Sequence, residues 1–237
     1  MASCFWLYSM YRNYQESSTE YQAIAQEAVR VPESSPSTEM KVEEQKVEEI
    51  SLLTVDFTVL QAMNPDICAW IDFPGMGISY PVVQGSDNTY YLNHSVKKNR
   101  IFAGSIFMDV RNHPDFTDDN TILYGHNMKD GSMFGLLSHY KQRGIWEQCP
   151  AFYIYTPDHI YRCDIAAFYE VKADVSEYPT IFAQGDEKQF YMENVKKRAL
   201  YDTGVELSTE DKLVTLSTCT RSSSSRFVIQ GCMEEIK

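Results

Sequence analysis

The chain has 237 residues, with 21 Lys+Arg against 33 Asp+Glu and a formal charge of −12, a balance that argues against non-specific nucleic-acid binding, which needs a basic surface. Its 43% hydrophobic and 13% aromatic content is enough for a packed core and excludes wholesale disorder. No run reaches the roughly 18 apolar residues of a membrane span, and the six cysteines lack regular spacing and any C-x-x-C pair, so they read as neither a disulfide framework nor a zinc site.

The start, Cys4-Phe-Trp-Leu-Tyr8 followed by Arg12, reads either as the outer end of a truncated transmembrane helix or as an ordinary helix start. Residues 17–30 are expected to be helical, with Ser17 or Ser18 as cap. Residues 31–50 are rich in Glu, Ser and Pro and contain an imperfect repeat, Lys41-Val-Glu-Glu-Gln then Lys46-Val-Glu-Glu-Ile. Such a segment buries too little apolar surface to offset its ordering entropy and reads as a linker or stalk. Two regions follow: 1–50 as anchor stump and acidic stalk, and 51–237 as the globular domain.

That domain opens with a short helix over Asp56–Met63, capped by Thr54 or Asp56. Beyond Asn64-Pro65 the apolar period becomes two. Short strands are predicted at Ile67–Phe73, Ile78–Gln84, Ser105–Val110, Thr121–Tyr124, Ala151–Tyr155, Ile160–Val171, Leu213–Cys219 and Arg226–Gly231, separated by turn residues. So many short strands indicate a barrel or sandwich. Two helices interrupt them: Ser132–Tyr140, with Met133, Leu136, Leu137 and Tyr140 at i, i+3, i+4, i+7, and Glu187–Tyr201.

Chemistry concentrates at the last two strands. In Lys212–Cys219 alternation places Leu213, Thr215, Ser217 and Cys219 on one face and Val214, Leu216 and Thr218 on the other. Six residues without an apolar side chain follow, then Arg226 opens the next strand. In a hairpin Cys219 and Arg226 would meet at its mouth. A guanidinium there favours the nucleophilic thiolate and can bind a developing oxyanion; a buried strand cysteine beside an unrelated surface arginine is the bland alternative. A cysteine nucleophile needs an acid or base. Of His94, His113, His126, His139 and His159, only His126 stands just past a core strand and beside a glycine, Gly125, where a rigid scaffold presents a side chain to solvent.

These residues resemble the sortase family. Tyr124-Gly-His-Asn-Met128 and Lys129-Asp-Gly-Ser-Met-Phe134 look like its histidine motif, Thr215-Leu-Ser-Thr-Cys219 resembles its T-L-x-T-C motif, and Arg226 opens the following strand as its arginine does. Asn64–Asp72, Ser79–Gln84 and Gly104–Asp109 extend the match, which spans about residues 56 to 232 in the family's order. The amino-terminal helix and the long helix before the nucleophile strand are similar to class B sortases.

The resemblance implies a mainly β fold, a closed eight-stranded barrel, and a cysteine transpeptidase. Cys219 is the implied nucleophile, His126 the acid and base, and Arg226 the oxyanion partner, with Arg221 as the alternative because the Cys-to-Arg spacing is short. Ser217, Thr218, Tyr124 and Asn127 are the candidate substrate-binding residues. The substrate implied is a carboxy-terminal sorting signal of a surface protein, cleaved after Thr and varying around N-P-x-T. Residues that select it are expected around Tyr178–Gln184 and the helix beyond. The acceptor is an amine of a cell-wall precursor or pilin. The location implied is the outer face of a Gram-positive cell membrane, held by an amino-terminal anchor. The Ser-rich loop after Cys219 offers no catalytic carboxylate. Asp115, Asp118 and Asp119 lack an EF-hand pattern, so neither metal nor cofactor is expected. A simple cysteine endopeptidase and a non-catalytic peptide-binding module are the rival readings; an L,D-transpeptidase is disfavoured by the lack of a Ser-His-Gly-Cys run.

Overall fold

The computed structural model describes residues 2–31, 52–174, 177–220 and 224–237. The proposed stalk and Arg221 therefore lie outside the described residues. Helix α1 runs Ala2–Ala28 as one piece, longer than the expected 17–30, and is followed by the short strand β1 (Val29–Arg30). β1 pairs with β2 (Thr54–Val55), Val29 opposite Val55. No described helix is long and apolar enough to cross a membrane. Tyr21, Ile24 and Ala28, on one helical stripe, are buried in the barrel's own hydrophobic cluster, which docks α1 onto the catalytic fold. Helix α2 (Phe57–Met63) starts where Asp56 Oδ1 accepts the Val59 amide at 3.1 Å, so Asp56 is its cap.

Eight strands close the barrel: β3 (Ile67–Phe73), β4 (Ile78–Val83), β5 (Ile106–Met108), β6 (Asn120–Tyr124), β7 (Ala151–Tyr155), β8 (Ile160–Lys172), β9 (Lys212–Cys219) and β10 (Ser225–Glu235). Their order around it is β10-β8-β7-β3-β4-β5-β6-β9. The β4–β5 and β6–β9 pairs are parallel and the others antiparallel. A parallel neighbour cannot be reached by a tight turn. The chain therefore makes two long crossovers, one between β4 and β5 and one between β6 and β9, and both carry parts of the site.

Inward side chains such as Phe168, Val214, Leu216, Phe227 and Ile229 fill the barrel. Helix α4 (Gly185–Arg198) covers the outside, its Val195 and Tyr191 against Ile122, Tyr169, Val171 and Val228. Lys188, buried on α4, pairs with Asp119 at 2.9 Å and pins the helix to the start of β6.

The expected helix over Ser132–Tyr140 is corrected. Gly131 (φ +86°) and Met133 (φ +53°) stand in the left-handed region, which no continuing α-helix permits. Instead a 3₁₀ turn covers Leu137–Lys141, and α3 (Arg143–Gln148), which had no sequence expectation, follows it.

Candidate active site

Two registers assemble the site. In the parallel β6–β9 pair Tyr124 stands opposite Ser217. Two residues further along each strand, in the same direction, come His126 and Cys219, so both leave the same rim of the barrel. In the antiparallel β9–β10 pair Arg226 stands opposite Cys219. Directly opposed residues share a face, with Cβ atoms about 5 Å apart. The hairpin mouth expected from the sequence is thus present, and Thr220 and Ser225 close it with a 3.3 Å backbone bond from the Thr220 amide. One cavity of about 200 Å³ is lined by His126, Cys219 and Arg226 together, with Tyr124, Ser217 and Thr218 in its wall.

Gly125 explains how His126 gets there. A Cβ on Gly125 would lie 2.5 Å from Ile106 Cδ1 and 2.7 Å from Phe134 Cδ2, so only glycine lets the chain slip between these core side chains. The Gly125 amide donates to Ser217 O at 3.2 Å and the His126 carbonyl accepts the Phe134 amide at 3.0 Å, which ties both sides of the histidine to the frame. The ring Nε2 lies 2.6 Å from the carbonyl oxygen of Leu92, in the β4–β5 crossover. Phe102, from the same crossover, runs parallel to the imidazole with centroids 6.3 Å apart.

The remaining candidates divide. Asn127 lies outside that cavity and lines a neighbouring one; its Nδ2 donates to the Cys219 carbonyl at 2.7 Å, bracing the end of β9. Thr218 faces inward, and among the described residues its buried Oγ1 has no hydrogen-bond partner. Ser217 Oγ bonds the phenol of Tyr178 at 3.1 Å. Burial pushes that phenol up to about 12, although the Ser217 hydroxyl and the Arg226 charge oppose the shift. Tyr178 lines the cleft, whereas Pro179, Ile181 and Phe182 of the same segment line a separate cavity beside α4. The Arg226 guanidinium donates to Ser225 O at 3.1 Å.

Behind Tyr124 stands a residue the sequence reading passed over. Asp109 is fully buried, and its carboxylate accepts from Tyr124 Oη at 2.8 Å and from Arg111 Nε, Nη2 and backbone N at 2.9 Å each. Burial alone would raise this carboxyl; the bonds from Arg111, Tyr124 and Asn88 outweigh it and hold it at about 2. Arg111 Nη2 also reaches Tyr178 O at 3.3 Å. One buried charge thereby ties the Tyr124 wall of the cleft to the Tyr178 wall. No local signal in the sequence marks Asp109, since an aspartate two residues from an arginine is commonplace until the fold buries it.

Burial pushes the other described thiols up: Cys68 and Cys232 to about 12, and Cys149 and Cys163 also upward. The three aspartates considered for calcium have protein partners. Asp115 accepts from Thr117, Asp118 from Asn112 and the His113 amide, and Asp119 from Lys188 and the Phe182 amide. Among the described residues no group of three or more His, Cys, Asp or Glu could hold a metal ion.

Comparison with known proteins agrees with this arrangement. The family model for the Sortase domain matches residues 71–234. Sortase B of Listeria monocytogenes is 39% identical over 175 residues, 73% of this chain and 71% of that protein. Sortase B of Staphylococcus aureus is 31% identical over 163 residues, 69% of this chain and 67% of that protein. Among solved structures, sortase B from B. anthracis in complex with AAEK1 superposes with a TM-score of 0.80 and 29% identity, covering 95% of this chain and 100% of that one. A Staphylococcus aureus sortase B–substrate complex gives a TM-score of 0.73 at 29% identity, over 76% of this chain and 85% of that one.

Proposed function

The chain belongs to the sortase family, in its class B branch, and is a cysteine transpeptidase; on that premise we propose that Cys219, His126 and Arg226 carry the reaction. Cys219 Sγ gives its proton to His126 and attacks the backbone carbonyl of a Thr in a sorting signal. The oxygen gains charge beside the Arg226 guanidinium, which is worth most in a site shielded from water. His126 passes the proton to the departing amine, the C–N bond breaks, and a thioester remains on Cys219. An incoming amine loses its proton to His126 and attacks the thioester, and the departing sulfur takes that proton back to become the thiol. The observation that carries this reading is the pair of registers that set His126 beside Cys219 and Cys219 opposite Arg226.

Tyr124, Ser217 and Tyr178 form the peptide-binding walls in this proposal, Thr218 backs them from the barrel side, and Asn127 holds the backbone of the nucleophile. Residues 51–237 make up the catalytic domain. The donor is a surface protein with a carboxy-terminal sorting signal, and the acceptor is an amine of a cell-wall precursor or pilin. The enzyme works at the outer face of a Gram-positive cell membrane; recovery of the native protein in the cytosolic fraction of its own cells would refute that placement.

The test is intact-mass spectrometry of the enzyme with a library of sorting-signal peptides. Wild type should gain the mass of the acyl fragment, and Cys219→Ala should not; cleavage retained in Cys219→Ala sinks the assignment. Adding an amine should divert the acyl group from hydrolysis to a new amide, whereas water-only products would make the chain an endopeptidase. Arg226→Lys keeps the charge but loses the planar fork and should lower kcat. Unchanged turnover in that variant would move the role to Arg221.

A further inference from the structure

His126 has a partner on the side of its ring that bonds Leu92. Its Nε2 lies 2.6 Å from the Leu92 carbonyl oxygen, and a carbonyl can only accept. Nε2 therefore carries a hydrogen, and in the neutral ring the lone pair sits on Nδ1. Among the described residues no carboxylate bonds this ring, so the carbonyl takes the orienting role that Asp has in a serine-type triad, on the opposite ring nitrogen.

The carbonyl is itself held from behind. Gly104 has φ +59°, and a Cβ there would lie 2.5 Å from Tyr91 O and 2.6 Å from Leu92 O. Glycine thus lets one part of the β4–β5 crossover press against the peptide groups of another. The Ser105 amide donates to Tyr91 O at 3.0 Å, and the Leu92 amide to Thr89 O at 3.2 Å.

Helix α1 grips the same crossover. The buried Tyr21 donates its phenol to Gly104 O at 2.7 Å and lies 3.1 Å from Ser105 Oγ, whose hydroxyl donates to His94 O at 2.9 Å. Beside it in the helix, Glu20 accepts from the Lys97 amide at 3.3 Å and from Asn99 Nδ2 at 3.1 Å.

We propose that the Leu92 carbonyl, set in place by Gly104 and by Tyr21 of the amino-terminal helix, fixes His126 as the Nε2–H tautomer and makes Nδ1 the atom that moves protons. Leu92, Gly104 and Tyr21 are positioning residues; none of them exchanges a proton with substrate. In acylation the proton on Nδ1 of the imidazolium passes to the departing amine. In deacylation Nδ1 takes a proton from the incoming amine, while Nε2–H stays on Leu92 O throughout. The amino-terminal helix therefore also sets the geometry of the acid–base group. The inference rests on the assignment of His126 as acid and base, and its test separates the two.

The experiment is two-dimensional ¹H–¹⁵N correlation spectroscopy of the full chain with ¹⁵N-labelled histidine, the His126 signals being identified by their loss in His126→Gln. The free enzyme above the histidine titration should show Nε2 protonated and Nδ1 bare. Gly104→Ala should displace the Leu92 carbonyl, mix the tautomers and lower kcat by about tenfold or more, with KM for the peptide little changed. Gly204→Ala is the control: Gly204 also has a positive φ (+73°), but a Cβ there meets nothing within 4 Å, so backbone strain alone should leave spectrum and kcat as in wild type. Should Gly104→Ala not fold, Tyr21→Phe carries the same comparison, with a smaller fall in kcat and a partial tautomer shift. A wild-type spectrum with Nδ1 protonated overturns the proposal, and so does a destabilising Tyr21→Phe or Gly104→Ala that leaves tautomer and kcat untouched. Full transpeptidation by His126→Gln would instead overturn the acid–base role and leave the tautomer measurement standing.

Discussion

Replacing Asp109 by Asn keeps the shape of the side chain and removes the charge on which Arg111 and Tyr124 converge. The carboxyl is held at about 2 from an ordinary 3.8, a difference equivalent to about 2 kcal/mol of stabilisation at neutral pH. Because the folded value is the lower one, this contribution is complete above about pH 4 and is lost as the pH falls toward about 2. Urea unfolding of wild type and Asp109→Asn should therefore show a gap of about 2 kcal/mol near pH 6 that narrows below pH 4. The four other depressed carboxyls, Asp66, Asp87, Asp115 and Asp119, are common to both proteins and cancel in the difference. Tyr124 and, through Arg111, the Tyr178 carbonyl lose their shared anchor, so KM for the donor peptide should rise while alkylation of Cys219 proceeds at the wild-type rate. A gap that stays constant from pH 6 to pH 2 would refute the claim that the buried charge is what stabilises this wall.

Gly125→Ala places a methyl 2.5 Å from Ile106 Cδ1 and 2.7 Å from Phe134 Cδ2. Overpacking of this kind costs about 1–3 kcal/mol, so the urea midpoint should fall and kcat should fall with it as His126 shifts; an unchanged midpoint would mean those side chains yield freely. Thr218→Val keeps the shape and removes a buried hydroxyl that has no partner among the described residues. It should raise stability by up to about 1 kcal/mol with little effect on turnover; a several-fold rise in peptide KM would show that the hydroxyl serves the substrate instead.

Strands were legible wherever one face packs in the barrel and the other does not, because alternation then records burial directly. Their ends were less so. β10 runs to Glu235, four residues past its expected end, since β8 continues to pair with it as far as Tyr161 opposite Glu235. The Ser132–Tyr140 segment shows the limit from the other side. Met133, Leu137 and Tyr140 are indeed buried, and Leu136 packs against the core, so the helical spacing reported a buried stripe correctly. It did not report the backbone, because a chain that turns at Gly131 and Met133 with positive φ can bury the same side chains without an α-helix. Helix α1 was read short for a related reason: the polar stretch between Arg12 and Thr19 broke the apolar pattern, while the backbone ran through it unbroken from Ala2.

Within the site, legibility followed sequence distance. Cys219 and Arg226 are partners in one hairpin, and counting along two neighbouring strands was enough to bring them together. His126 reaches Cys219 only through the parallel β6–β9 pairing, which joins residues about 90 apart and has no local signature; its glycine neighbour and the family resemblance singled it out. The groups that orient these three were not legible at all. Leu92 lies in a crossover with no period to read, and its role is a main-chain oxygen, which any residue possesses. Asp109 directly follows the three-residue β5, inside the longer strand expected over Ser105–Val110, and nothing local marks it until the tertiary fold buries it against Arg111 and Tyr124. The β4–β5 connection returns to the barrel, and the β8–β9 connection leaves it, at the rim where the cleft opens. A closed barrel restricts what its strands can change without repacking, whereas its connections are free to vary. Differences in the sorting signals that related enzymes accept should therefore map to the segments around Asn88–Leu92 and Tyr178, and exchange of those segments between two class B enzymes should carry peptide preference with it while Cys219, His126 and Arg226 stay in place.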